Sequence, residues 1–341
     1  MTENMLKNLE LGKQLMAIHY PHLSVNEIKV IQDEPIKTIW KLETSIGTVC
    51  LKRIRKSIPI VKFTTAAQDY LYKKGALVAG IIPTKANELF FVHEGYGLVL
   101  YEWITGTDLE MEDVSEHAYA GLKGLAQFQN DSVGFVPPAD CETYNRMGVW
   151  PHHYKKMLEE LKQWKTEAQE KSTPFEQAYL KVADEMIALA EQATEMLEVS
   201  CYMKWVEGIG QYGYMCHQDY GSGNALQTDK GVYVLDLDNV AYDIPLRDVR
   251  KLITKRMEEI DGEWEQAELE KLLNSYESIL PLSDEQRKLL YIDMLYPHQF
   301  YGCVKNPFKK GKVGEVKKIE KNYRLEMEKL PLLRKLLKIN E

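Results

Sequence analysis

Short runs of apolar and β-branched residues at 28–31, 38–42 and 48–54 are separated by turn signals at Asp33-Glu34-Pro35 and Ser45-Ile46-Gly47. That pattern predicts three strands after an N-terminal helix. Residues 64–74 place Ala67 and Leu71 at helical spacing and stop at Gly75, which suits a helix C-terminus. Two further strands are predicted at 88–93 and 97–101, joined by the turn Glu94-Gly95-Tyr96. The order β-β-β-α-β-β describes a small antiparallel sheet carrying a helix. Beyond Trp103 the period changes: residues 115–129 and 154–203 read as helical, and 175–199 align Ala178, Val182, Met186, Leu189, Ala193 and Leu197 on one buried face. One strand, 231–236, interrupts this part before helices resume at 246–260. The expected fold class is α+β, with a β-rich lobe over 1–102 and a mainly helical lobe over 103–341.

Composition narrows the class. A chain of 341 residues, 45% hydrophobic and 28% charged, is neither disordered nor too small to bury a core. Five scattered cysteines without a C-x-x-C pair argue against a disulfide framework or a zinc site. Residues 1–20 lack the basic start and apolar core of a signal peptide, and no window reaches the length of a membrane span, so no membrane partner is expected. The net charge of −8 is uneven, since residues 305–341 hold 12 Lys and Arg against 5 Asp and Glu. The leucines Leu325, Leu330, Leu333, Leu336 and Leu337 make that tail an amphipathic helical segment, and no nucleic acid partner is expected.

Candidate chemistry is concentrated around the interrupting strand. The segment Cys216-His217-Gln218-Asp219-Tyr220-Gly221-Ser222-Gly223-Asn224 precedes it, and Asp236-Leu237-Asp238 closes it. Phosphoryl transfer needs one carboxylate to take or orient a hydroxyl proton, and an amide oxygen with a second carboxylate to hold Mg²⁺ against nucleotide phosphates. Asp219 suits the first role; Asn224 and Asp236 suit the metal roles. The other histidines show no metal-binding spacing, and His152, His153 and His298 are expected to be structural. Tyr296-Pro297-His298-Gln299-Phe300 reads either as core or as part of an acceptor site.

The pattern H-x-D-x-x-x-x-N followed by a strand ending in D-x-D resembles the aminoglycoside phosphotransferase and choline kinase branch of the protein-kinase-like fold. The resemblance implies ATP and Mg²⁺ as cofactors and Lys52, in the third strand, as the group that pairs with the nucleotide phosphates. It also implies adenine recognition by the Glu102 carbonyl and the Ile104 amide, with His217, Asp238 and Asp248 in support and Asp248 steadying the catalytic loop. Two departures stand out. Residues 61–75 contain no glutamate to hold Lys52, so that Asp69 or Glu43 is left to approach it, and residues 33–40 lack the glycines of a phosphate-covering loop.

Across nearly the whole chain, Ile39-Trp40-Lys41-Leu42-Glu43, Leu51-Lys52-Arg53, Tyr70 to Gly75, His217-Gln218-Asp219-Tyr220, Asp236-Leu237-Asp238, Tyr242-Asp243 with Arg247-Asp248, and Tyr296-Pro297-His298 resemble the CotS-type spore coat proteins. That implies synthesis in the cytoplasm of the mother cell, deposition in the spore coat and other coat proteins as partners. Two functions follow: an ATP-dependent phosphotransferase acting on a hydroxyl of an unidentified small molecule or protein, or a kinase-fold scaffold of the coat with little or no turnover. The acidic balance of residues 1–304 is compatible with a cationic acceptor, and Glu207, Glu258, Glu259 and Asp261 flank the catalytic segment without any sign that they converge.

Overall fold

The computed structural model describes residues 3–34, 37–260 and 264–339. Pro35 of the first predicted turn and Asp261 of the flanking acids lie outside them. Helix α1 (Glu3–His19) leads into β1 (Val25–Glu34), β2 (Lys37–Thr44) and β3 (Gly47–Ile54). Helix α2 (Ile58–Lys73) then precedes β4 (Ile81–Ile82), β5 (Phe91–His93) and β6 (Tyr96–Glu102). The strands form one antiparallel sheet in the order β1-β2-β3-β6-β4, with β5 also paired to β6.

Alternation decides what each face does. Along β2, Trp40 and Leu42 point into a core shared with Leu51, Leu98, Leu100, the α1 residues Leu15 and Met16, and Tyr20 just after that helix. The second core gathers Ile54, Val61, Ala79, Val99 and Tyr101, with Cys50 packed against it. The period of two turns Lys52 to the Cys50 side of β3, where it pairs across the sheet with Ile39 and Val99. The sequence predicted one helix on this sheet, whereas α1 and α2 both contribute apolar residues to its cores. Helix α2 also begins at Ile58, ahead of the predicted start at residue 64. Pro59 is tolerated in its first turn because no intrahelical donor is needed there.

The remaining elements are β7 (Thr107–Asp108), α3 (Ser115–Ser132), α4 (Trp150–Gln169), α5 (Pro174–Glu198) and α6 (Tyr202–Ile209), followed by β8 (Tyr214–Cys216), β9 (Ala225–Thr228), β10 (Gly231–Val234) and β11 (Ala241–Asp243). Then come α7 (Leu246–Glu258), α8 (Gln266–Glu277), α9 (Asp284–Leu295), α10 (His298–Lys310), α11 (Val316–Glu328) and α12 (Leu330–Leu337). The chain divides into two compact units. The first comprises Met1–Leu109, Gly124–Asn145 and Tyr214–Tyr242; the second comprises Glu110–Lys123, Arg146–Gly213 and Asp243–Glu341. The segments that return to the first unit carry the H-x-D loop and the D-x-D turn. Gly124 permits that return, since a Cβ there would come within 2.7 Å of the Val232 side chain on β10. In the second unit α4 and α5 bury Met157, Leu161, Tyr179, Met186 and Ala190, so the methionine of the predicted stripe is core. No disulfide joins the cysteines, and among the described residues no helix is long and apolar enough to cross a membrane.

Candidate functional site

The first unit brings most of the sequence-predicted residues together. A cavity of about 330 Å³ is lined by Lys52, Glu102, Ile104, Asn224, Asp236 and Asp238. Its apolar wall comes from Ile31, Ile39, Ala79, Leu226 and Leu235.

Lys52 is the electrostatic centre of this cavity. Its Nζ lies 2.7 Å from Asp236 Oδ1 and 2.7 Å from Asp238 Oδ2, with only 7% of the side chain exposed. Burial alone would lower its pKa, but the two carboxylates outweigh that and hold the ammonium charged. Burial likewise works to raise Asp236, yet Lys52 and then Lys37 bring it down to about 2. Asp238, more deeply buried and next to Asp236, stays above the ordinary carboxylate range despite the same lysine. The two aspartates are therefore not equivalent, and Asp236 is the one whose negative charge is secured.

This arrangement supplies the partner that the sequence could not place on α2. Asp69 pairs with Lys73 one turn along its own helix, and Glu43 accepts from Thr48. Gln68, at the helix position facing this region, donates to the Ala79 carbonyl. Asp238 reaches Lys52 because Asp236 takes the left-handed conformation, φ 59° and ψ 59°, and turns the chain sharply after β10. Such a backbone costs an aspartate of the order of 1 kcal/mol and is tolerated by short polar side chains.

Lys37 was not singled out by the sequence pattern. Its Nζ lies 3.4 Å from Asp236 Oδ2, so both oxygens of that carboxylate face an ammonium group. It opens β2 inside the glycine-free segment 33–40, and the only signal was a lysine where phosphate-covering glycines were sought.

The catalytic-loop candidates are tied to the same turn by hydrogen bonds. Fully buried His217 bonds the Leu235 carbonyl through Nε2 at 2.7 Å, while its Nδ1 accepts from the Asp219 amide at 3.3 Å. The acceptor role of Nδ1 places the ring proton on Nε2. The Leu235 amide donates to the Asn224 carbonyl at 2.9 Å, and the Asn224 side-chain nitrogen donates to the Asp219 carbonyl at 2.9 Å. Asp108 on β7 also fixes the loop by accepting from the Gly223 amide at 3.0 Å. Asp219 itself is exposed.

At the end of β6, the Glu102 amide donates to the Gly80 carbonyl and the Glu102 carboxylate accepts from Tyr72 and the Gly80 amide. Asp248 belongs to the second unit. It is buried in the first turn of α7 and takes a guanidinium contact from Arg247 at 3.4 Å.

The donor set suits Mg²⁺. Asn224 uses its nitrogen toward Asp219, which leaves its side-chain oxygen as the acceptor end, and Asp236 is a secured carboxylate in the same cavity. No group of three or more His, Cys, Asp or Glu able to cage a metal occurs among the described residues. Mg²⁺ held by one or two protein oxygens and completed by phosphate and water needs none.

Comparison with known proteins agrees with this geometry. Residues 59–337 match the family described as "Spore coat putative kinase YutH". Spore coat protein S of Bacillus subtilis (strain 168) is 27% identical over 283 residues, covering 83% of this chain and 80% of that protein. Among solved structures, an aminoglycoside phosphotransferase from Alicyclobacillus acidocaldarius superposes with a TM-score of 0.74 at 16% identity, over 92% of this chain and 93% of that one. The amicoumacin kinase hAmiN, solved with AMP-PNP, Ca²⁺ and Ami, gives a TM-score of 0.61 at 13% identity, over 96% and 95%. The fold is thus the kinase-like α+β fold of the aminoglycoside phosphotransferase branch.

Proposed function

The chain belongs to the spore coat kinase-like family of YutH, and from that premise we propose that it is an ATP-dependent phosphotransferase acting on a hydroxyl group. The observation that carries the proposal is the convergence of buried Lys52 with Asp236 in a cavity that Asn224 also lines. A scaffold has no need to bury a lysine between two carboxylates, because an apolar side chain of similar volume is as stable or more so in such a place.

In this reading the apolar wall of Ile31, Ile39, Ala79, Leu226 and Leu235 takes the adenine ring, and the Glu102 carbonyl and Ile104 amide fix its edge. Lys52 and Lys37 exchange part of their contact with Asp236 for phosphate oxygens. Asp236 and the Asn224 oxygen hold Mg²⁺, which neutralises charge on the transferring phosphoryl group. Asp219 accepts the acceptor's hydroxyl proton. His217 positions Asp219 through the loop amide, and Asp238 positions Lys52 in place of the missing helix glutamate. The relative named Spore coat protein S supports deposition in the spore coat, and other coat proteins are the partners this reading proposes.

Transfer or release of labelled γ-phosphate tests the assignment. Asp219→Ala is expected to lower turnover by about 100-fold or more, the usual weight of a positioned base, while Mg²⁺-ATP affinity changes less than about threefold. Turnover by Asp219→Ala at the wild-type rate would overturn it. Absence of turnover in the wild type together with absence of nucleotide binding would leave the coat scaffold as the function.

A further inference from the structure

The second unit contains its own cavity, of about 630 Å³, within the size range of small-molecule sites. Acids and bases both line it, so its character depends on which charges are already spent. Asp293, buried at its base, is taken by Arg250 Nε at 3.1 Å and His298 Nε2 at 2.7 Å, with a further bond from Tyr154. Glu112 pairs with Lys255. Asp243 accepts from the Ile244 amide at 2.9 Å, and burial pushes its pKa up to about 7. Glu258 accepts from Gln299 and is likewise pushed up to about 7 by burial. Of the carboxylates lining the cavity, Glu259 alone makes no hydrogen bond or ion pair among the described residues.

The bases are not spent to the same extent. Arg146 and Lys305 line the cavity and make no ion pair among the described residues, whereas Arg247 is held by Asp248 at 3.4 Å. His153 senses the result: after burial, the groups that lower its pKa are Arg146, Lys305, Lys156 and Arg247, with no acid among the causes. A neutral feature points the same way. Thr254, only 5% exposed, lines the cavity with its hydroxyl lacking a hydrogen-bond partner among the described residues. A buried hydroxyl left in that state costs about 1–3 kcal/mol unless something in the cavity bonds it. Trp150 and Tyr154, stacked at 10° between planes, supply aromatic surface.

We propose that this cavity binds a small organic anion, with Arg146 and Lys305 meeting its carboxylate or phosphate group and Thr254 hydrogen-bonding to it. The acidic balance of residues 1–304, compatible with a cationic acceptor and equally with mere solubility, does not decide the matter, because local pairing and not net charge sets the field in a cavity. The proposal concerns binding in the second unit and stands independently of turnover in the first.

Calorimetric titration of the full chain in Mg²⁺-free buffer tests it, with citrate as the carboxylate probe, glycerol 3-phosphate as the phosphate probe and spermidine as the cationic control. Saturable binding of one or both anions at one site per chain is expected, and the stronger of the two identifies the group recognised. The double variant Arg146→Gln with Lys305→Gln should weaken that binding at least tenfold, and Thr254→Val several-fold, with melting temperatures near wild type showing intact folding. Failure of both anions to saturate, binding of spermidine in their place, or undiminished anion binding by the double variant would overturn the proposal.

Discussion

Lys52 and its two aspartates show how a local sequence rule can be satisfied from elsewhere in the chain. The helix that should carry a glutamate offers Gln68 and Asp69, and neither serves; Asp238 does, because left-handed Asp236 bends the chain after β10. The short loop and short strand between Asn224 and Asp236 leave little freedom, so the sequence spacing already suggested the closeness that the structure shows for these two residues in one cavity. It could not make the Lys52–Asp238 pair legible, because the contact spans most of the chain and depends on one backbone conformation. Lys37 stayed hidden for a similar reason, as a lysine at a strand start is ordinarily solvated. The pair makes a prediction at this scale. Asp238→Asn removes one of the two charges that orient Lys52 and should raise KM for ATP about tenfold, roughly 1.4 kcal/mol, with a smaller change in kcat. Asp238→Glu, which keeps the charge, should recover part of the loss; an unchanged KM in Asp238→Asn would remove Asp238 from any positioning role.

Elements with a strong period were read well, and those without one were not. Strands β2 and β3 carry β-branched residues between clear turns, and α5 carries a long apolar face, so these were found at nearly their observed bounds, whereas β1 extends from Val25 to Glu34, well past the predicted 28–31 and into the predicted turn at Asp33-Glu34. Strands β4 and β7, of two residues each, have no period to read, and the four-residue β9 that pairs with β10 was hidden beside the glycine-rich loop. The predicted amphipathic tail is two helices, α11 and α12, with Leu325, Leu330, Leu333 and Leu337 buried. Helix α9 has a complete capping box: the Gln286 amide donates to Ser283 Oγ at 3.2 Å, and the Ser283 amide donates to the Gln286 side chain at 2.8 Å. Ser283→Ala should therefore cost about 1 kcal/mol, seen as a lower urea midpoint with an unchanged slope. A midpoint equal to wild type would show that packing of α9 makes the cap redundant.

For the whole molecule, buried acids give stability a pH dependence whose sign can be stated. Asp243 has a folded-state pKa of about 7 against an ordinary value of 3.8. Between those values the unfolded chain releases the proton while the folded chain keeps it, so this group's contribution falls as pH rises from about 4 to about 7 and is then constant. Asp243→Asn removes that slope. Its unfolding free energy relative to wild type should rise steadily from pH 4 to pH 7.5, by up to about 4 kcal/mol in the limit of three pKa units, less the loss of the weak Trp150 bond at 3.4 Å. A difference that does not vary with pH would mean that Asp243 is ionised in the fold.

The central claim, a working Mg²⁺-nucleotide site built on Lys52, Asn224 and Asp236, is tested most directly by thermal unfolding with and without Mg²⁺-ATP, beside Asp236→Ala. Nucleotide at about 100 times its Kd should add about 2.7 kcal/mol to the wild type, a clear upward shift. The same titration should shift Asp236→Ala far less, and omission of Mg²⁺ should shrink the wild-type shift. Equal shifts in the two proteins, or none in the wild type at millimolar Mg²⁺-ATP, would contradict the account.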